Sequence, residues 1–308
     1  MTLLTELYPQ IALERFCTVF GKSRQAWYYA ISQNQQQDMA DSLVVTMIKE
    51  IREQQPRMGT RKLYFLLTPK LQEHKIKVGR DKLFEILERY GLLIRHRKRK
   101  AITTNSNHPF YKYDNLIQQL ILRSKNQLWV SDITYISLKE NFAYLSLITD
   151  AFSRKVVGYC LWPTLAAQGC INALEMALAQ LPRHRVYYGL IHHSDRGVQY
   201  CCFDYVQRLK ASNIQISMSY NGDPYQNAIA ERINGILKAE FGLNKKFDSI
   251  EKASETVCSA VELYNNKRPH SSLNYLTPNQ AHHLTGILKR NWKNYKKACI
   301  TNQDEQSA

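Results

Sequence analysis

Apolar positions in the first hundred residues recur at helical spacing. Ile11, Leu13, Phe16, Val19 and Phe20 predict one helix, which Gly21 breaks. Ser23 is a candidate N-cap for a second short helix through Ile31, with Arg24 and Gln25 near its start. Helix, glycine turn and helix together make a helix-turn-helix candidate over residues 1–37. Leu43, Val44, Met47, Ile48 and Ile51 predict a further helix over 41–55, ended by Pro56 and Gly59. Thr60 is a candidate cap for the helix bearing Arg61, Leu63 and Leu66. Gly79 precedes another, with Asp81 at its positive end.

From Gln127 the pattern changes. Residues 127–136 (QLWVSDITYI) are rich in β-branched and aromatic side chains and predict a strand. Residues 142–148 and 155–161 predict two more, and the short connections make the three antiparallel neighbours. The expected order continues with a helix over 166–181, a strand over 188–192, a helix over 203–211 and a strand over 214–218. A last helix opens at Pro224 and runs to about Phe241. This βββαβαβα order predicts an α/β fold with a mixed sheet, preceded by small helical modules. The expected domains are 1–37, 38–100 (a basic helical module), 101–122 (a linker), 123–245 (the sheet-bearing core) and 246–308 (a helical extension with a basic tail).

Charge sharpens this division. The 308-residue chain carries 42 Lys and Arg against 26 Asp and Glu, a net charge of +16. Residues 41–100 alone hold 16 basic against 7 acidic residues, a net +9, and end in Arg95, His96, Arg97, Lys98, Arg99 and Lys100. Such an excess predicts a polyanionic partner, most simply nucleic acid, with an anionic membrane surface as the rival. The same run also fits a solvated linker. No apolar stretch reaches spanning length, and the charged first 30 residues do not resemble a secretory signal. Seven cysteines, an odd number without a CxxC pair, predict a reducing compartment and neither a disulfide framework nor a structural zinc site.

Three acids stand out within the core. Asp132 lies inside an otherwise apolar strand, Asp195 follows the carboxyl end of another, and Glu231 lies in the last core helix. A strand-interior carboxylate is costly unless paired or metal-bound, and clustering three is costlier. Divalent cations remove that penalty, and two of them can serve phosphodiester cleavage. Taken singly, any one of these acids is more often a cap, a turn residue or an ion-pair partner.

Several stretches, taken in order, resemble one family. They are residues 129–136 (WVSDITYI), 144–158 (YLSLITDAFSRKVVG), 192–200 (HHSDRGVQY), 223–238 (DPYQNAIAERINGILK) and 264–270 (YNNKRPH), followed by Leu273, Thr277 and Pro278. The chain resembles the transposases of bacterial insertion sequences whose DDE catalytic core is related to retroviral integrase. It is most similar to their second-reading-frame proteins. Thirty-five residues separate Asp195 from Glu231, the spacing typical of that family.

The resemblance implies an RNase H-like core in which Asp132, Asp195 and Glu231 are catalytic and bind two Mg²⁺ or Mn²⁺ ions. It implies double-stranded DNA, at element ends and target, as the partner, with self-association in a synaptic complex and an upstream-frame protein joined by frameshift fusion. It implies a bacterial, cytoplasmic, nucleoid-associated enzyme that cleaves and transfers DNA strands. Lys238 falls on the Glu231 face of its helix and is a candidate phosphate contact or a solvated helix charge; Arg24, Arg61, Arg95, Arg97, Lys98, Arg99 and Lys100 are further candidate phosphate contacts. Asn227 either contacts the DNA strand or caps and braces its helix, and Tyr264, Asn265, Arg268 and His270 either bind DNA or pack a helix end onto the core. His192 and His193 are candidates to orient Asp195 or to touch DNA, though a buried, hydrogen-bonded strand histidine is the more common outcome. Lys289, Arg290, Lys293, Lys296 and Lys297, with Trp292 and Tyr295 interleaved, form a basic aromatic tail. Gln226 stands where the family commonly has Asp. The rival readings are a non-catalytic DNA-binding regulator or degenerate copy, and a generic RNase H-like nuclease.

Overall fold

The computed structural model describes residues 2–94, 108–181, 189–220 and 227–288. Arg95, Arg97, Lys98, Arg99 and Lys100 lie outside the described residues, as do Pro224, Gln226 and the basic aromatic tail. The chain divides into two compact units, residues 1–54 with 58–95, and residues 55–57 with 96–308.

The first unit is helical: α1 Thr2–Leu7, α2 Leu13–Val19, α3 Arg24–Gln54, α4 Thr60–Glu73 and α5 Arg80–Arg89. Its core is one apolar cluster. Val44, Val45, Met47 and Ile48 of α3 meet Leu63, Leu67 and Leu71 of α4 and Leu83, Ile86 and Leu87 of α5. Each set recurs at three- and four-residue steps, so each helix turns one stripe inward. Asp41 is fully buried on α3, where it accepts hydrogen bonds from Arg89 at 3.0 Å and Gln37 at 2.7 Å. Ser23 caps α3 as expected, its Oγ accepting the Ala26 N–H at 3.0 Å.

Two expectations need correction. Thr60 is the first residue of α4 rather than its cap; Gly59 holds the cap position and no side chain bonds there. The helices expected over 24–31 and 41–55 are one helix of 31 residues, which runs through the expected boundary at residue 37. The joining stretch, SQNQQQDMA, has no apolar stripe to reveal a helix, yet it also has no Gly or Pro to stop one.

The second unit is built on a five-stranded sheet of order β3-β2-β1-β4-β5. The strands are β1 Leu128–Ser137, β2 Phe142–Asp150, β3 Val156–Trp162, β4 Ile191–Ser194 and β5 Gln215–Met218. β2 pairs antiparallel with β1 and β3, while β4 pairs parallel with β1 and β5 with β4. Only β2 therefore runs against the rest, the arrangement of an RNase H-like core. The helices are α6 Ala167–Ala179, α7 Val198–Cys201, α8 Phe203–Ala211, α9 Ala228–Glu240, α10 Ile250–Lys267 and α11 Pro278–His282.

Strand alternation separates two apolar layers. Trp129 and Ile148 pack with Leu174 of α6 and Tyr205 and Leu209 of α8. Ile136, Leu145 and Leu147 pack on the opposite face with Ile233 and Ile236 of α9 and Val257 and Val261 of α10. α6 lies very close to β3: a Cβ on Gly158 would stand 2.1 Å from the Ala173 carbonyl oxygen, so only glycine fits there. No helix among the described residues is long and apolar enough to cross a membrane.

The parts expected to flank this core pack into it. In the expected linker, the Leu116 N–H donates to Ser217 Oγ at 2.9 Å, and Asp114 O accepts the Met218 N–H at 3.2 Å. This strap therefore lies along β5. Beyond the expected boundary at 245, α10 closes the edge strand. Asn265 accepts the Val156 N–H and donates to the Val156 carbonyl, each at 3.0 Å, and Tyr264 OH donates to the Arg154 carbonyl at 2.9 Å.

Arg268 also needs correction as a DNA contact. It is 1% exposed, and its Nε and an Nη donate to the two oxygens of Glu240, both at 2.8 Å. Its charge is committed to the end of α9 and cannot reach a phosphate. Removing one partner of a buried pair strands the other. Arg268→Ala therefore loses about 3–5 kcal/mol of stability in urea unfolding. The double variant Arg268→Met, Glu240→Leu recovers most of it.

Candidate active site

β1 and β4 are parallel neighbours in the middle of the sheet, with Val130 opposite His193. Extending that register by two residues sets Asp132 level with Asp195, one residue beyond the end of β4. The carboxyl ends of parallel strands are where such sheets present ligands. Glu231 lies in the first turn of α9, exposed, on the layer that covers the Asp132 face.

Each acid has its own supports. Asp132 accepts the Ile133 N–H at 2.9 Å through one oxygen and Asn234 Nδ2 at 2.7 Å through the other. Asp195 Oδ1 accepts the Gly197 N–H at 3.0 Å. A Cβ on Gly197 would stand 3.0 Å from that oxygen, so glycine lets the carboxylate fold back over its own turn. Asn227, at the start of α9, is buried and donates to the Ser131 carbonyl at 2.9 Å. It braces helix to strand beside Asp132 and is not presented to solvent as a DNA contact would be.

The electrostatics are those of crowded like charges. Burial, then the Asp195 charge, pushes the Asp132 carboxyl up to about 7, against the pull of its Asn234 and Ile133 hydrogen bonds. Glu231 is raised by burial and by Asp195. Half-buried Lys238 is pulled down by burial and back up by the charge of Asp132, so it lies within the field of the acids. Among the described residues no three acidic, histidine or cysteine side chains already stand close enough to hold a metal ion. Their chemistry suits one nonetheless: hard oxygen donors, one of them raised by burial and then by a neighbouring acid, both of which a bound cation would offset.

Other candidates fall elsewhere. His192 is buried between layers, 2.6 Å from Ser131 Oγ and 2.9 Å from Tyr205 OH, and burial pushes it down to about 3. His193 Nδ1 is 2.9 Å from Ser217 Oγ. Both histidines tie the sheet together and neither touches Asp195 in these bonds. Arg24 and Arg61 are exposed on the helical unit. Asn234 is the residue that sequence reasoning passed over. Its signal was present, since it stands three residues after Glu231 on one helix face.

A raised carboxyl makes a pH prediction. Because folding raises Asp132 from 3.8 to about 7, its contribution is full below 3.8 and is lost as pH rises through about 7. Asp132→Asn, which cannot ionise, therefore gains stability over the metal-free wild type as pH rises. The gain is on the order of a few kcal/mol at pH 8 and disappears at pH 4. Urea unfolding in EDTA at the two pH values measures it; an equal difference at both contradicts the assignment.

Two family models, both described as an integrase core domain, match residues 123–224 and 212–278. A 31 kDa protein of insertion element IS600 from Shigella sonnei, itself uncharacterized, is 34% identical over 85% of this chain and 95% of its own length. The transposase InsF of insertion sequence IS3A from Escherichia coli (strain K12) is 32% identical over 88% of this chain and 94% of its own. The IS629 transposase from Shigella sonnei is 29% identical over 91% and 95%. Among solved structures, the HTLV-2 integrase catalytic core domain in complex with magnesium has 19% identity and a TM-score of 0.41, covering 52% of this chain and 98% of that one. A simian T-cell lymphotropic virus intasome chain has 20% identity and a TM-score of 0.43, covering 73% and 74%. With more than four-fifths of its length shared with these insertion-element proteins, the chain belongs to the insertion-sequence transposases that carry an integrase core domain.

Proposed function

We propose that this transposase is a divalent-metal-dependent polynucleotidyl transferase whose metal ligands are Asp132, Asp195 and Glu231. The observation that carries the reading is a mid-strand carboxyl, pushed up to about 7, level with a second acid and covered by the helix that bears a third. Two Mg²⁺ or Mn²⁺ ions bound there would act as Lewis acids toward the phosphate oxygens of the DNA.

The chain's own residues do the rest. Asn234 and the Ile133 N–H hold Asp132 in one orientation. Gly197 leaves room for the Asp195 carboxylate. Glu231, exposed in the first turn of α9, approaches from the DNA side, and Lys238 offers a positive charge within the same field. Water attacks a phosphodiester at the element end, leaving a 5′-phosphate and a free 3′-hydroxyl; that hydroxyl then attacks a second phosphodiester, forming a new P–O bond as the 3′-oxygen of the attacked strand leaves and takes up a proton. No side chain forms a bond to DNA. Exposed Arg24 and Arg61 contribute non-specific phosphate contacts, so binding weakens with salt. Two element ends require self-association, and an upstream-frame fusion supplies recognition of the terminal repeats. A non-catalytic regulator would have no use for three acids in this arrangement.

The test is a plasmid bearing the element ends, incubated with Mg²⁺, Mn²⁺ or EDTA. Wild type nicks at the ends only with metal, and Asp132→Ala, Asp195→Ala and Glu231→Ala reduce nicking to background. Asn234→Leu, which loosens Asp132 without removing it, lowers metal affinity or nicking about 10- to 100-fold. Nicking that persists in EDTA, or a trapped covalent protein–DNA adduct, overturns the mechanism. Where wild type binds DNA without cutting, the fused upstream frame restores cutting.

A further inference from the structure

Arg196 directly follows Asp195, yet no carboxylate among the described residues pairs with it. Its guanidinium carbon lies 5.6 Å from the centroid of the Tyr220 ring. Its Nε is buried without a hydrogen-bond partner among the described residues. A buried donor left unmade costs on the order of 1–3 kcal/mol, and no described residue supplies its acceptor. Its backbone is also fixed, because the Arg196 carbonyl accepts from His108 Nε2 at 2.8 Å.

The surroundings say which acceptor. Arg196 and Tyr220 each stand two residues beyond the ends of neighbouring parallel strands, β4 and β5. The pairing continues past the strands, with the Ser219 N–H donating to the Ser194 carbonyl at 3.0 Å. The two side chains are thus on the ligand-presenting edge of the sheet, beside Asp195. Lys112 of the strap and Arg196 both act on Cys201 through their charges, so a second cation lies nearby. An arginine stacked on an aromatic ring is held off the neighbouring acid and keeps its planar fork oriented. That fork matches the oxygens of a phosphate.

We propose that Arg196, seated on the Tyr220 ring, binds a backbone phosphate of the DNA strand and holds that strand beside Asp195. It is a substrate-binding residue, outside the acidic set, and the inference rests on the transposase reading above only for the identity of the phosphate as DNA.

The experiment is fluorescence anisotropy of the full chain with a labelled duplex of arbitrary sequence, in EDTA, across a salt series. Arg196→Gln is expected to weaken binding about five- to tenfold and to reduce the slope of log K against log salt by about 1. Arg196→Lys keeps the slope, since the charge remains, but recovers only part of the affinity, since the bidentate fork is lost. Lys210→Gln, at the exposed end of α8, leaves both unchanged. A wild-type slope in Arg196→Gln, or an equal fall in Lys210→Gln, overturns the proposal. If Arg196→Gln does not fold, Arg196→Lys decides: weaker binding at an unchanged slope supports the proposal, and wild-type affinity overturns it. The measurement needs neither metal nor cleavage. A wild type that never nicks DNA would overturn the catalytic reading and leave this result standing.

Discussion

A carboxylate in the central strand of a five-stranded sheet is the constraint around which this molecule is arranged. Asp132 has its charge opposed by burial and by Asp195, so the bare protein holds it near the middle of its titration at neutral pH. Removing it would relieve the strain, and the surrounding structure instead preserves it. Asn234 and a backbone N–H each occupy one of its oxygens. The strand beneath is tied sideways through Ser131 to His192 and Tyr205. Such support has the form expected where a ligand must be held ready for a cation.

α9 brings the third acid to this strand, and its placement depends on both of its ends. At its start, Asn227 donates to the Ser131 carbonyl, one residue from Asp132. At its finish, Glu240 receives both arms of the buried Arg268. Between them, Ile233, Ile236 and Leu237 face the apolar layer, while Glu231 remains exposed. Within the segment from Tyr264 to His270, Tyr264, Asn265 and Arg268 are built into the fold. Tyr264 anchors the β2–β3 turn, Asn265 closes the edge strand and Arg268 fixes the end of α9. Of the two readings the segment's composition allows, a nucleic-acid contact or a helix end packed onto the core, the second describes these three side chains.

The strands were legible because β-branched and aromatic runs between turns have few other uses, and the three-strand start was legible from its short connections. Asp132 and Asp195 stood out for a related reason: acids at a strand interior and a strand end are expensive, so their positions carry information. Glu231, exposed on a helix, stood out only through the motif around it and its spacing from Asp195. α3 was misread as two helices because pattern reading follows apolar stripes, and the stretch between residues 31 and 41 has none. Asn234 was passed over because an amide on a helix is ordinary until its partner is known.

What the sequence alone determined is local: which segments are strands and helices, which acids sit at costly places, and which motifs the chain shares with its relatives. These follow from periodicity, propensity and spacing, all written within a few residues of each other. The tertiary structure decided the rest. It set Asn265 against Val156, Arg268 against Glu240, Asn227 against Ser131 and Arg196 on Tyr220, pairs separated by 24 to 109 positions. A polar side chain acquires its role from the group that satisfies it, and no pattern along the chain shows which distant group that will be.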